Sequence, residues 1–309
     1  MTKSVALGVA IFAALVILSL WRLVDWGDSS DDPDGRIAFV SDASGDHEVW
    51  LINPDGSELL QLTGEETPPN TGPLSWSPDG QRIVFTADGG EGEESADIYV
   101  VEADRPGARR ITHTDSQELL PQFLPDGSIF YWDRSTGGGW IIDDDGSNRR
   151  HVDGVVPSGV LSPDGTAVLR TLGTQGVLHY DTSRVVNSDL AATYHRPLTE
   201  EFGYTGDPSW SADGALIAIV CADVEGYVVL PRVPEENEPQ GICVLRPDGT
   251  GLRRVVEVGD APTLSPDGRR VAYLGVSGPS IVGTEGGEPR LFLAECGCLQ
   301  VGELAWSPR

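Results

Sequence analysis

Four cysteines, five histidines and 48 carboxylates are the side chains of this 309-residue chain from which chemistry could be built. Cys221 and Cys243 bracket a 21-residue stretch. A disulfide between them would clamp that stretch and contribute about 3 kcal/mol by restricting the unfolded chain; two buried thiols are the competing reading. Cys296-Gly297-Cys298 is too tight for an unstrained bridge, and no second cysteine-rich pair completes a zinc set. His47, His113, His151, His179 and His195 never fall three or four apart, so they show no metal-ligand spacing. The acidic runs Glu91-Gly92-Glu93-Glu94, Asp143-Asp144-Asp145, Glu200-Glu201 and Glu235-Glu236 do not fit a calcium loop. They read either as a solvated acidic face or as a site for a cation or a basic partner. With no Gly-x-Ser-x-Gly elbow either, the sequence names no catalytic residue, no metal and no cofactor.

What remains is binding chemistry. Glu93, Glu94, Arg196, Glu201, Tyr204, Tyr227, Arg232 and Glu235 lie in the longest stretches between apolar runs. Tyr and Arg are favoured at interface hot spots, though the same side chains could pack those loops down. The net charge of −27, from 21 bases against 48 acids, argues against a nucleic-acid partner, because phosphate binding needs a basic face. A protein or peptide is the partner class left.

The elements that must carry these residues are short strands. Gly 38 and Pro 22 make up about a fifth of the chain, which suits many turns and argues against a helical bundle. A Pro-Asp-Gly-like turn recurs with its aspartate at Asp34, Asp79, Asp126, Asp164, Asp213 and Asp267. Each turn precedes a β-rich run: 36–40, 82–86, 128–132, 167–171, 216–221 and 270–274. A second run follows in each unit, at 49–52, 98–101, 140–142, 177–180, 242–245 and 291–294. A short closing strand comes next, as at 60–63 and 110–112. Four short strands per unit of roughly 45 residues is the pattern of a propeller blade, whose two faces are buried only by stacking on neighbours. The first unit begins at its turn and lacks a preceding strand. The chain ends Leu304-Ala305-Trp306-Ser307-Pro308, which matches Leu74-Ser75-Trp76-Ser77-Pro78. The C-terminus is therefore expected to supply the missing inner strand, giving an all-β, six-bladed propeller over residues 33–309.

Ser77-Pro78-Asp79-Gly80-x-x-Ile83-x-Phe85, followed by Ile98-Tyr99-Val100, resembles the repeat of the TolB-like (WD-repeat-like) six-bladed β-propellers. That resemblance implies a periplasmic protein-binding module. Related propellers gate prolyl oligopeptidases and the tricorn protease, and others act on polysaccharides. An enzyme acting on a polymer, with acids or histidines converging on the axis, is thus the alternative class.

Ahead of the repeats, residues 4–21 carry no charge and span about 27 Å as a helix, close to a hydrocarbon core. Trp21 and Trp26 sit where interfacial aromatics belong. With no small-residue cleavage site after the run, residues 1–26 read as a single-pass anchor, embedded through residues 4–24, and 27–32 as a short acidic tether. Cleavage would instead release a secreted propeller. Lys3 precedes the span and Arg22 follows it, a small bias that favours an extracytoplasmic folded part. The short-turn face is expected toward the membrane. The long stretches 88–96, 184–207, 223–240 and 275–289 are expected on the opposite face.

Overall fold

One hydrogen-bonded corner is written repeatedly into this chain. Ser77 Oγ donates to Asp79 Oδ1 at 2.5 Å and accepts the Arg82 N–H at 2.9 Å. Asp79 Oδ1 also accepts the Gln81 N–H, and Gly80 turns the chain at φ 67°. Glycine takes this left-handed conformation without steric cost. Ser162/Asp164, Ser211/Asp213 and Ser265/Asp267 repeat the serine–aspartate bond at 2.6, 2.6 and 2.7 Å. The serine hydroxyls hold the Asp79, Asp164 and Asp213 carboxyls below their ordinary range.

The computed structural model describes residues 35–69, 72–88, 95–152, 159–171, 177–181, 196–197, 205–222, 240–293 and 301–309. These form six antiparallel four-stranded sheets within one compact unit, Pro33–Arg309. The first sheet has the order β24 (Val301–Trp306), β1 (Ile37–Ser41), β2 (Glu48–Ile52), β3 (Leu60–Gln61). The second runs β4 (Ser75–Trp76), β5 (Arg82–Asp88), β6 (Ala96–Glu102), β7 (Arg109–Arg110). The third runs β8 (Glu118–Phe123), β9 (Ile129–Asp133), β10 (Gly138–Ile142), β11 (Arg150–Val152). The fourth comprises β12 (Val160–Leu161), β13 (Ala167–Thr171), β14 (Val177–Asp181) and β15 (Arg196–Pro197). The fifth comprises β16 (Thr205–Trp210), β17 (Ile217–Ala222), β18 (Gln240–Leu245) and β19 (Arg253–Val256). The sixth comprises β20 (Gly259–Leu264), β21 (Arg270–Gly275), β22 (Gly278–Gly283) and β23 (Arg290–Leu291).

The two-residue period of a strand sends alternate side chains to opposite faces. In β5, Ile83, Phe85 and Ala87 join a core with Ala38, Val49 and Leu51 of the first sheet. Val84, between them, packs with Phe123, Ile129 and Tyr131 of the third. In β17, Ile217, Ile219 and Cys221 join Leu169 of the fourth sheet, while Ala218 and Val220 face Leu264, Val271 and Tyr273 of the sixth. The sixth sheet meets the first through Ala272, Ile281 and Phe292 against Ile37, Phe39 and Trp306. Between the third and fourth, Gln122 receives the Leu161 N–H at 2.9 Å and donates to the Gly159 carbonyl at 2.6 Å.

The last strand does lie against the first. Ala305 stands opposite Ala38, and Trp306 opposite Ile37. The repeated corner is also completed across the termini: Ser307 Oγ accepts the Arg36 N–H at 2.8 Å, and the Ser307 N–H donates to the Arg36 carbonyl at 2.8 Å. Gly35 sits in this corner so closely that a Cβ would meet Ser307 Oγ at 2.7 Å.

One expected strand was misplaced. The third strand of the sixth sheet is β22, not 291–294, so 275–289 is not one long loop. Gly278, Pro279, Ser280 and Gly283 have poor strand propensity, yet Ile281 and Val282 are buried and the segment pairs along all of β21. Tertiary pairing overrides local preference there. The closing strand of the second sheet begins one residue earlier than expected, at Arg109. Among the described residues no helix is long and apolar enough to cross a membrane. The expected anchor, tether and first aspartate, within residues 1–34, lie outside the described residues.

Removing residues 303–309 deletes most of β24 and the Ser307 corner together. The truncated protein should lose its single cooperative melt, whereas Ser307→Ala alone should cost about 1 kcal/mol; urea titration of both compares them, and a truncation that melts like the full chain would refute this role for the C-terminal strand.

Candidate functional site

Most of the expected loop site falls outside what the structure describes: Glu93, Glu94, Glu201, Tyr204, Tyr227, Arg232 and Glu235 are all among the undescribed residues. Arg196 opens β15, its backbone paired with His179. Cys221 and Cys243 are on adjacent strands with Cα atoms 5.8 Å apart and the sulfurs joined at 1.97 Å. They are diagonal neighbours, since Cys221 stands opposite Gly241 and Cys243 opposite Ile219. Cys296 and Cys298 lie outside the described residues. The Asp143–Asp145 run is used internally: Asp143 accepts from Asn148, Asp144 pairs with Arg82 and accepts from Arg109, and Asp145 accepts the Ser147 N–H.

The sequence reading missed two constellations, one on the innermost strands and one across a seam between two sheets. The first arises from β-bulges. Strands β8, β16, β20 and β24 each break register at corresponding places. Leu120, Asp207, Ala261 and Glu303 there adopt positive φ, from 35° to 55°. A bulge re-aims side chains. Here the result is a grouping of Asp207, Asp260 and Glu303, contributed by three successive sheets. All three are exposed to solvent. Even so, desolvation, followed by the charge of Asp260, raises the Asp207 carboxyl. Desolvation, then Asp207 and Asp260, raises Glu303. These carboxylates therefore stand in a water-accessible recess walled by protein. Like charges grouped in this way repel one another and attract cationic groups. The signal was present as Gly206-Asp207, Gly259-Asp260 and Gly302-Glu303, a glycine–acid pair shortly before the recurring Trp210, Leu264 and Trp306. Among the described residues no three His, Cys, Asp or Glu side chains stand as a metal site.

The second is a charge cluster at the seam of the second and third sheets. Asp97, fully buried on β6, accepts from Arg110 at 2.6 Å and from Thr112 at 3.3 Å. Glu118, fully buried on β8, accepts from Thr114 at 3.2 Å and from Arg149 at 3.4 Å, both at Oε1. Arg149 also reaches Asp133 at 3.1 Å, donates to the Tyr131 hydroxyl, and lies 4.0 Å over the Trp140 ring. Burial pushes Glu118 up to about 7, against the opposing pull of Thr112 and Arg149. Burial likewise pushes Tyr131 up to about 12. Asp133 is also desolvated, but hydrogen bonds from Ser116 and Ser135 hold it below its ordinary value.

The six-sheet arrangement and its corners define a class. No protein-family model matches the chain, but the fold is that of the TolB-like β-propellers. TolB from Acinetobacter baumannii superimposes with a TM-score of 0.65 at 20% identity, covering 90% of this chain and 68% of that one. A chain of the nidogen/laminin complex superimposes at 0.60 with 12% identity, covering 88% and 98%. At these identities the likeness is one of fold. In sequence, the uncharacterized peptidase YuxL of Bacillus subtilis is 39% identical over 74 residues, 23% of this chain, and the match spans only 11% of that protein. The uncharacterized protein Atu1656 of Agrobacterium fabrum is 26% identical over 207 residues, 62% of this chain and 69% of that protein.

A carboxyl whose folded pKa is raised destabilises the fold progressively as pH climbs from its unfolded value through its folded one. Asp207→Asn should therefore raise the melting temperature at pH 7, and the gap to the unsubstituted protein should close as pH falls toward 4. Melting curves across that range test it; a gap that is constant with pH would remove the shared-charge account of the recess.

Proposed function

We propose that this chain is a six-bladed TolB-like propeller that acts as a non-catalytic protein- or peptide-binding module. Residues 4–24 anchor it, and the propeller lies outside the cytoplasm. The observation that carries the reading is the fold: 90% of the chain follows TolB, and 88% follows a chain crystallised in a protein–protein complex. In such a fold the sheet faces are used up on one another, which leaves loops and the inner recess for partners. The net charge of −27, together with the Asp207–Asp260–Glu303 recess, favours a basic segment on the partner.

Crosslinking in intact membranes, followed by purification of the full-length chain, tests this. A polypeptide with a basic segment should be captured, and its purified form should bind at least tenfold more weakly to the Asp207→Asn/Glu303→Gln variant and at raised salt. Binding that is unaffected by both would defeat the proposed contact, and the absence of any specific polypeptide partner would defeat the reading itself.

The placement is tested separately. The chain should resist carbonate extraction and keep residues 1–26 on N-terminal sequencing, and peptide mapping without reductant should recover Cys221 linked to Cys243. A mature N-terminus beyond residue 26 would make the protein secreted, and free thiols at both positions would argue for a reducing compartment.

A further inference from the structure

The seam between the second and third sheets contains more negative than positive groups, and its carboxyls are buried. Three carboxyls, Asp97 on β6, Glu118 on β8 and Asp133 on β9, face two guanidiniums, Arg110 on β7 and Arg149 just before β11. Asp97 and Asp133 are each paired and hydrogen-bonded. Glu118 is not equivalent: its side chain is fully buried, and its Oε2 has no hydrogen-bond partner. A bare carboxylate oxygen in that position carries the full cost of its lost hydration, whereas a protonated carboxyl leaves the cluster balanced at two charges of each sign. The other charged or titratable groups near the seam add no buried charge to it: Tyr131 on β9 is held neutral by burial, and His113, Asp115 and Arg134, which donates to Gln117 at 2.6 Å, are exposed. From β5 the group that reaches Glu118 is uncharged, the Thr86 hydroxyl on its carbonyl at 3.2 Å.

The same residues hold the two sheets together. Ala96 bridges Gln117 in parallel fashion, and the Ala96 N–H donates to the Ser116 carbonyl at 3.2 Å. Ser116 in turn donates to Asp133 at 2.6 Å.

We infer that Glu118 makes this seam a proton-controlled latch, closed while its carboxyl carries a proton and loosened when the proton leaves. Acidification tightens the contact between the sheets, and alkalinisation opens it. The upward displacement of Glu118 places the change around neutrality.

Hydrogen exchange on the full-length protein, corrected for the intrinsic pH dependence of exchange, reads the latch directly. Taking the closed-state value of about 7 against an ordinary 4.5 in the open state, linkage makes the seam open about tenfold more at pH 8 than at pH 6. Peptides covering 96–118 and 129–134 should show this loss of protection, while peptides covering 259–283 should not. In Glu118→Gln the seam should stay closed at both pH values. A seam with unchanged protection in the unsubstituted protein overturns the inference, and so does a Glu118→Gln protein that still opens with rising pH. If that variant does not fold, the comparison of seam and remote peptides in the unsubstituted protein decides alone.

Discussion

The pairing of β24 with β1 is the constraint on which the rest of this structure depends. A four-stranded sheet with apolar residues on both faces is stable only when each face is covered. Five of the sheets are built from consecutive sequence, but the first lacks its inner strand until the C-terminus arrives. The junction repeats the bonding found inside each unit. Ser307 stands to Arg36, 271 positions away, as Ser77 stands to Arg82, five positions away. Trp76 Nε1 then donates to the Ala305 carbonyl at 3.0 Å, tying the closing strand to the second sheet as well.

Closure also explains how the inner strands differ from ordinary edges. Each presents one side to its own sheet and the other to the interior, where its N–H groups need partners. Neighbouring sheets supply some of these. Ser75 receives the Phe123 N–H, Gln122 that of Leu161, and Thr263 that of Trp306. The bulges turn other residues of the same strands inward, and three of these positions carry acids. The positive φ at Asp207 and Glu303 and the mutual repulsion of their carboxyls are costs that the closed packing around them sustains. An acidic recess is therefore a product of the architecture, and it agrees in sign with the charge of the chain as a whole.

The two polar constellations show opposite solutions to burying acids. In the recess, water reaches the carboxylates and tempers their repulsion. At the seam, guanidiniums, hydroxyls and an aromatic ring surround buried carboxyls, leaving one carboxylate oxygen without a donor. Buried charge of this kind makes a contact sensitive to protons while well-formed apolar packing around it, through Val84, Phe123 and Ile129, keeps the sheets in register.

Much of the fold was legible in local sequence because its corners are local. Ser-x-Asp-Gly bonds within five residues, and alternation of apolar residues shows in any strand long enough to bury both faces. Even the closure was visible, since Leu304–Pro308 repeats Leu74–Pro78. The third strand of the sixth sheet was not, because Gly278, Pro279 and Ser280 become a strand only through pairing with β21. Nor was the disulfide geometry: the 21 intervening residues allowed a bridge, but only strand register sets Cys221 diagonal to Cys243. The acids tell the same story. Asp207, Asp260 and Glu303 are 43 to 53 residues apart from one to the next, and Asp97, Glu118, Asp133 and Arg149 are spread over three strands and a turn. Local sequence determined the repeating corner and the strand period, because backbone turns and side-chain alternation act over a few residues. The shared charge of the recess and the unpaired oxygen of Glu118 were decided by tertiary structure, because Coulomb interaction and desolvation depend on distances through space that exist only once the sheets have packed.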